Sequence, residues 1–341
     1  MADAHDRAVE LEVAVRALLG IDPDAGSRVL TSLSGSVSIE RVLVAARHRA
    51  FALGAEGVDL IILEPCIDIF RLMATDFEGF RVIPVVGFDA DESLELLVHA
   101  IERSAMVTSR NVVVCLESPR NPVGTFFSER HLEELAAVCG DVGALLIVDH
   151  CFLLAGVQEA ASIPALFRGP RRACQWIALW DTGKTIDLSG DKLGFVIVSD
   201  TGLGAWVESS IAAVQVATPI RSLSVFAELL GHPTLPAYVD HVRAACRANL
   251  DRLVSGLPSG WSATVPSAGS MSCLTCQGSE LDSECLRDAF FAVGVSSVTS
   301  RAFFSVAPSR ERSFVRVALA RDERYFAAAT DRIVTVLGAL Q

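Results

Sequence analysis

Lysine is nearly absent from this chain: of its 29 basic residues, 27 are arginine and two are lysine, Lys184 and Lys192. Both fall in one stretch, Trp180-Asp-Thr-Gly-Lys184-Thr-Ile-Asp-Leu-Ser-Gly-Asp-Lys192-Leu-Gly194. Arginine fills generic surface roles, but its guanidinium stays protonated, whereas a desolvated lysine amine loses its proton and attacks carbonyl carbon. A chain that abandons lysine elsewhere and keeps two together is expected to need an amine there. The plain alternative is codon bias with two chance survivors. Long apolar runs are missing too: the richest, residues 144–148, is stopped at once by Asp149 and His150, so no membrane span is expected. A basic surplus is missing, with a net charge of −12 and no basic stripe, which argues against a nucleic-acid partner. The first residues are acidic and lack the order of a signal peptide. The nine cysteines are scattered, and Cys273-Leu-Thr-Cys276 has neither a second pair nor histidines at ligand spacing. They read as packed thiols in a reducing cytoplasm, with no metal expected.

What is present is apolar and periodic. With 51% apolar residues over 341 positions, the chain fits one large domain and a smaller one. Apolar runs at 58–63, 80–86, 111–116, 143–148, 175–180 and 193–198 alternate with amphipathic stretches. Nearly continuous apolar strands between helices predict an α/β fold, a mainly parallel sheet with helices on both faces. One intervening helix is predicted with Ser128 as its cap, a stripe of Leu132, Leu135 and Val138, and Gly140 as its end. From about residue 225 the pattern changes to a long helix over 238–256 and then short strands, a second, α+β domain. No internal repeat or low-complexity linker interrupts it.

In parallel sheets ligands sit beyond the carboxyl ends of the strands. The third run is followed by Glu117-Ser-Pro-Arg-Asn121-Pro-Val-Gly124-Thr, the fourth by Asp149-His-Cys-Phe152 and the fifth by Asp181-Thr-Gly-Lys184. Each has an ordinary reading: Asp149 as a cap after a strand, Asn121 as a turn residue before Pro122. An asparagine, an aspartate 28 residues on and a lysine 35 beyond that form a constellation. Upstream, Leu33-Ser34-Gly35-Ser36 opens a helix whose stripe is Ile39, Val42, Leu43 and Ala46. A helix start offers unpaired N–H groups to an anion, or is simply a serine-capped helix.

On these motifs the chain resembles the fold type I, pyridoxal-phosphate-dependent aminotransferases of class I/II, over residues from about 30 to 200 and again near the C-terminus. The resemblance implies the PLP-dependent transferase fold: a short N-terminal segment, 1–25, packing with the small domain, a PLP-binding domain over 26–225 and a small C-terminal domain over 226–341. It implies pyridoxal 5'-phosphate, joined to Lys184 as a Schiff base, its ring nitrogen paired with Asp149 and its phenolic oxygen bonded by Asn121. Lys184 and Asp149 would be catalytic. Ser34, Gly35 and Ser36 would cradle the phosphate, with Asp181, Thr182 and Lys192 beside it. Ile67 and Phe152 would stand at the cofactor ring. Arg316, in Phe314-Val-Arg316-Val-Ala-Leu-Ala, would grip the substrate carboxylate, with Asn121 nearby; an edge strand with Arg316 facing solvent is the alternative. The implied partners are an amino acid and a second copy of the chain.

The chain departs from the family at four places. Where the family stacks an aromatic residue on the ring, this chain has Ile67; where it places a phenol three residues after the aspartate, this chain has Phe152. Asp181 stands where a phosphate-binding serine is common, and the arm before residue 34 is short. The segments Pro65-Cys-Ile-Asp68 and Asp181-Thr-Gly-Lys-Thr, with Lys192 eight residues after Lys184, resemble a branch of arginine oxidases or hydroxylases and capreomycidine-synthase-like cyclases of natural-product pathways. The expectation is an aminotransferase-like enzyme transforming an amino acid through an external aldimine and quinonoid. Oxidation, hydroxylation, cyclisation or elimination is the alternative outcome, and a non-catalytic subunit on the same fold is the alternative class.

Overall fold

The computed structural model describes residues 4–23, 26–107, 109–154, 174–186, 190–276, 282–309 and 312–340. The apolar runs form strands β2 (Val58–Glu64), β3 (Phe80–Val86), β4 (Asn111–Glu117), β5 (Leu145–Asp149), β6 (Gln175–Asp181) and β7 (Gly194–Val198). A further strand, β1 (Arg28–Ser32), completes a seven-stranded sheet in the order β1-β7-β6-β5-β4-β2-β3. Five strands are parallel, whereas β7 runs antiparallel to both β6 and β1. The sequence gives no apolar signal at β1, because it is a partly exposed edge strand.

Helices cover both faces, as continuous apolar strands require. One face carries α2 (Gly35–Ala52), α3 (Ile69–Asp76) and α7 (Thr201–Ala212), whose buried side chains join alternate strand residues such as Ile62, Cys115 and Ile147. The other carries α4 (Ala90–Val107), α5 (Glu129–Val142), α8 (Ile220–Leu230) and α1 (Ala4–Leu19). The N-terminal helix packs on α8: Leu11, Ala14, Val15 and Leu19 share a core with Leu223, Phe226 and Leu230. Four apolar residues at helical spacing bury their stripe on the nearest apolar helix. In α5, Ser128 caps as expected, its side chain accepting from His131 N, but the helix passes Gly140 and stops at Gly143. Gly143 has φ 69°, the left-handed conformation that ends a helix; Gly140 keeps helical geometry.

The remaining chain forms α9 (Leu235–Gly256), β8 (Trp261–Ala263), β9 (Met271–Cys276), α10 (Ser283–Ala292), β10 (Val298–Thr299), β11 (Val315–Ala318) and α11 (Glu323–Ala339). Its strands make a second, antiparallel sheet in the order β10-β11-β9-β8, with its own core around Leu250, Leu274, Phe290 and Ile333. The two sheets meet at Gly124, whose carbonyl accepts from Ala268 N and Ser267 Oγ. Gly124 has φ 71°, and a Cβ there would strike Pro266, so no other residue fits the turn after Asn121-Pro122. Among the described residues no helix is long and apolar enough to cross a membrane.

Candidate active site

Four parallel strands close on an acid: β2 on Glu64, β4 on Glu117, β5 on Asp149 and β6 on Asp181. All four side chains are buried. Parallel strands bring these ends to one edge of the sheet, where a cavity of about 690 Å³ opens against β11, α9 and the start of α11. Its walls include Ile67, Asn121, Phe152, Lys184 and Arg316, five of the residues singled out in the sequence.

Lys184 lies in a single turn of helix, α6 (Thr182–Thr185), started by Asp181, whose Oδ1 accepts from Gly183 N at 3.0 Å. Its side chain is exposed to the cavity, with Nζ 6.0 Å from the centroid of the Phe152 ring. Asp149 stands behind, its Oδ1 accepting from Cys151 N at 2.8 Å. Burial pushes its carboxyl up to about 6, Asp181 adding to the shift and Lys184 opposing it. The turn that Asp149 caps uses one oxygen, so capping and a second role are compatible.

Asn121 is buried, and its Oδ1 accepts from Arg316 Nη1 at 3.0 Å. That bond fixes the amide's direction and leaves its NH2 to donate elsewhere. Arg316 is on β11, which is paired with β10 and β9, so the edge-strand alternative falls. Its guanidinium lies 5.5 Å from the centroid of Phe303, and its Nε is buried with no hydrogen-bond partner. Burial lowers its pKa. A buried donor without an acceptor is costly, and an anion entering the cavity would satisfy it.

Ser34 caps α2, its side chain accepting from Val37 N at 3.2 Å, and Ser36 is exposed in the first turn. A Cβ on Gly35 would lie 2.7 Å from Asp181 Oδ2, so the acid of β6 sits against this helix start. Lys192 Nζ is 3.9 Å from the same oxygen, and its stem runs where a Cβ on Gly183 would fall. The structure therefore gathers Ser34, Gly35, Asp181 and Lys192 around one helix N-terminus. Thr182, next to Asp181, is fully buried, and its Oγ1 accepts from Leu193 N at 3.1 Å. Its hydroxyl ties α6 to the start of β7.

The family model for aminotransferase class I and II matches residues 66–333. The chain belongs to the aminotransferase class I and II family. A solved structure of MppP soaked with the product 2-ketoarginine superposes with a TM-score of 0.80, at 22% identity, over 99% of this chain and 91% of that one. Kynurenine–oxoglutarate transaminase 1 of Homo sapiens is 28% identical over 195 residues, 54% of this chain and 43% of its own. A probable N-succinyldiaminopimelate aminotransferase of Mycobacterium tuberculosis is 25% identical over 241 residues, 70% of this chain and 56% of its own. The match thus spans less than half the length of the human relative. Pyridoxal 5'-phosphate is the cofactor of this aminotransferase family. The residues here fit it: an amide donor on Asn121, the helix start at Gly35 with Lys192 beside it, and an exposed amine on Lys184. Asp181 is the discordant group, a like charge beside the phosphate cradle.

Several residues at the site were not assigned from the sequence. Glu117 and Arg120 lie within the quoted Asn-Pro motif, and charges closing an apolar run are a sign of a buried polar network. Tyr238 and His241 of α9 line the far wall. Nothing in the sequence signals them, because the helix reaches the cavity only through the packing of the second sheet.

Proposed function

We propose that this chain is a pyridoxal-phosphate-dependent enzyme acting on an amino acid, with Lys184 as the residue that carries the cofactor and moves the Cα proton. The observation that supports this most is the meeting of Lys184, Asn121 and the orphaned Arg316 donor in one cavity, with Asp149 buried behind them. The cofactor, when bound, supplies an aldehyde for the substrate amine and a ring that spreads the negative charge left at Cα. Asp149 holds a proton at the ring nitrogen. Asn121 donates to the phenolic oxygen. Ser34, Gly35 and Lys192 hold the phosphate, and Arg316 orients the substrate by its carboxylate. The proposal includes a homodimer, for which sedimentation of the holoprotein is the check.

Sustained transamination is the ordinary outcome of such a site; oxidation, cyclisation or elimination is the second reading here. Phe152 favours the second, because its ring faces the Lys184 amine where a phenol would donate to the cofactor. The 2-ketoarginine named for MppP places L-arginine first among substrates to try. The experiment is a visible spectrum of the holoprotein followed through a panel of amino acids, with and without 2-oxo acids, and with oxygen monitored. Spectral change with oxygen uptake supports the second reading. Clean conversion to the pyridoxamine form, reversed by a 2-oxo acid over many turnovers, makes the protein an ordinary aminotransferase. No spectral change with any amino acid returns it to the non-catalytic class.

A further inference from the structure

Glu117 is a buried acid at the strand ends for which the site so far has no use. It closes β4, in register with Asp149 of β5, so the two carboxyl groups leave the same face of neighbouring strands about 5 Å apart in backbone spacing. It is 4% exposed. Its Oε2 accepts two N–H groups, from Ile67 at 3.3 Å and from Asn121 at 3.2 Å. One oxygen of one side chain therefore fixes the backbone of both the ring-face residue and the asparagine. Asn121 passes the constraint on through its side chain to Arg316.

The titratable groups around Glu117 are Asp149 on β5, Arg120 on the following loop, the Cys66 thiol beyond β2 and Arg316 on β11. None of them pairs with it: Arg120 gives its donors to the carbonyls of Gly87 and Pro65 and to Ser93 Oγ. Among the described residues no ion pair includes Glu117. A buried carboxylate with no cation in contact is costly, and two adjacent buried carboxyl groups resist double ionisation. Both accepted bonds fall on Oε2, which leaves Oε1 to carry a proton.

We propose that Glu117 is a positioning residue of this site, a buried carboxylic acid that holds Ile67 and Asn121 in place and leaves Asp149 as the charged member of the pair. Burial first, and then Asp149, push the Glu117 carboxyl well above the usual range, in agreement with the geometry. The role assigned to Asn121 and Asp149 rests on the function proposed above.

Glu117→Gln and Glu117→Ala separate the parts of this inference. Glutamine keeps a neutral side chain with an accepting oxygen. It should rescue the site, leaving the pH at which the bound cofactor's visible band changes within about one unit of the parent. Alanine removes the acceptor, and the holoprotein should lose pyridoxal phosphate roughly tenfold faster, as a lost hydrogen bond or two of ordinary strength implies. A glutamine variant whose band shifts by more than about one unit overturns the neutral-acid assignment. An alanine variant that keeps its cofactor as long as the parent overturns the positioning role. Should alanine fail to fold, infrared difference spectra of parent and glutamine proteins decide. The parent should show the carbonyl stretch of a protonated carboxyl group that the glutamine protein lacks, and loss of a carboxylate band in its place refutes the idea. The infrared comparison needs no cofactor. A parent protein with no visible cofactor band therefore sinks the proposed function while the proton on Glu117 is still measured.

Discussion

The two sides of the cavity teach different things. On the strand-end side are Asn121, Asp149 and Lys184, an amide, a buried acid and an amine, to which the function proposed above gives the holding of the cofactor. On the ring side, the residues that would stack on and bond to the cofactor are Ile67 and Phe152, neither aromatic and polar together nor able to donate. On the first side Asp149 is the last residue of a buried parallel strand, and Lys184 and Asn121 follow three and four residues after the ends of two others, in the helical turn α6 and in a turn. The second is built from a loop and a turn, which tolerate change without loss of the fold. On the function proposed above, the reaction needs the first side to proceed at all, and the second decides how tightly its course is controlled.

The largest effect expected is at Lys184. Lys184→Ala should lower turnover by about 10²–10⁴-fold, the worth of a positioned general base. Borohydride reduction of the parent should leave a pyridoxyl group on Lys184 in a peptide map. A label on Lys192 would break the contrast between the two sides at its centre.

Asp149→Asn should follow, keeping the fold and lowering turnover by at least about 10²-fold, a loss typical of removing a preorganised electrostatic group. The same variant tests the raised carboxyl. A carboxyl raised to about 6 from an ordinary 3.8 adds stability that is full below pH 3.8 and is lost as pH rises through about 6. In the cofactor-free protein the stability difference between parent and Asp149→Asn should therefore change across that window, by on the order of 3 kcal/mol. A flat difference in denaturant titrations would leave Asp149 as a turn cap alone.

Arg316→Lys probes the wall contributed by the second sheet. Exchanging a fork of two parallel donors for one point charge should weaken amino-acid binding by about 1.5–3 kcal/mol. Unchanged apparent affinity would mean that the buried Nε waits for something other than a carboxylate.

The ring side should respond more gently and in the opposite sense. Phe152→Tyr restores a phenolic donor and should raise the rate of pyridoxamine formation by roughly fivefold, one ordinary hydrogen bond. No gain in stopped-flow spectra would show that the missing phenol is not what sets the course of the reaction. Smallest of all, Asp181→Ser keeps a cap for α6 but removes a like charge from the start of α2. Cofactor loss should slow by a few-fold, in line with about 0.3–1 kcal/mol for a charge at a helix terminus; faster loss would make Asp181 a partner of the cofactor.

Much of the strand-end side was legible before any coordinates. Six strands, the cap at Ser128 and the stripe of α2 follow from periodicity, because burial on both faces forces nearly every strand residue to be apolar. Asn121, Asp149 and Lys184 stood out as polar residues at the ends of such runs. The edge strand β1 gave no signal, since an edge needs less apolar content, and Gly140 misled because a glycine ends a helix only where φ turns positive. Nor does the sequence signal that the Thr182 hydroxyl accepts from Leu193 N and ties α6 to the start of β7.

Local chemistry is written in local sequence: which residues lie at strand ends, which carry protons, which can form an imine. For that reason the chain alone determined the α/β layers and the amine kept at residue 184, while its resemblance to the family implied the cofactor. Distances between residues far apart in the chain are set by packing, and no local pattern records them. Only the tertiary structure joined Arg316 to Asn121 across 195 positions, seated the N-terminal helix on α8, and set Glu117 beside Asp149 with one oxygen holding Ile67 and Asn121. Those are contacts between elements, and they exist only once the hydrophobic cores of both sheets have fixed where each element lies.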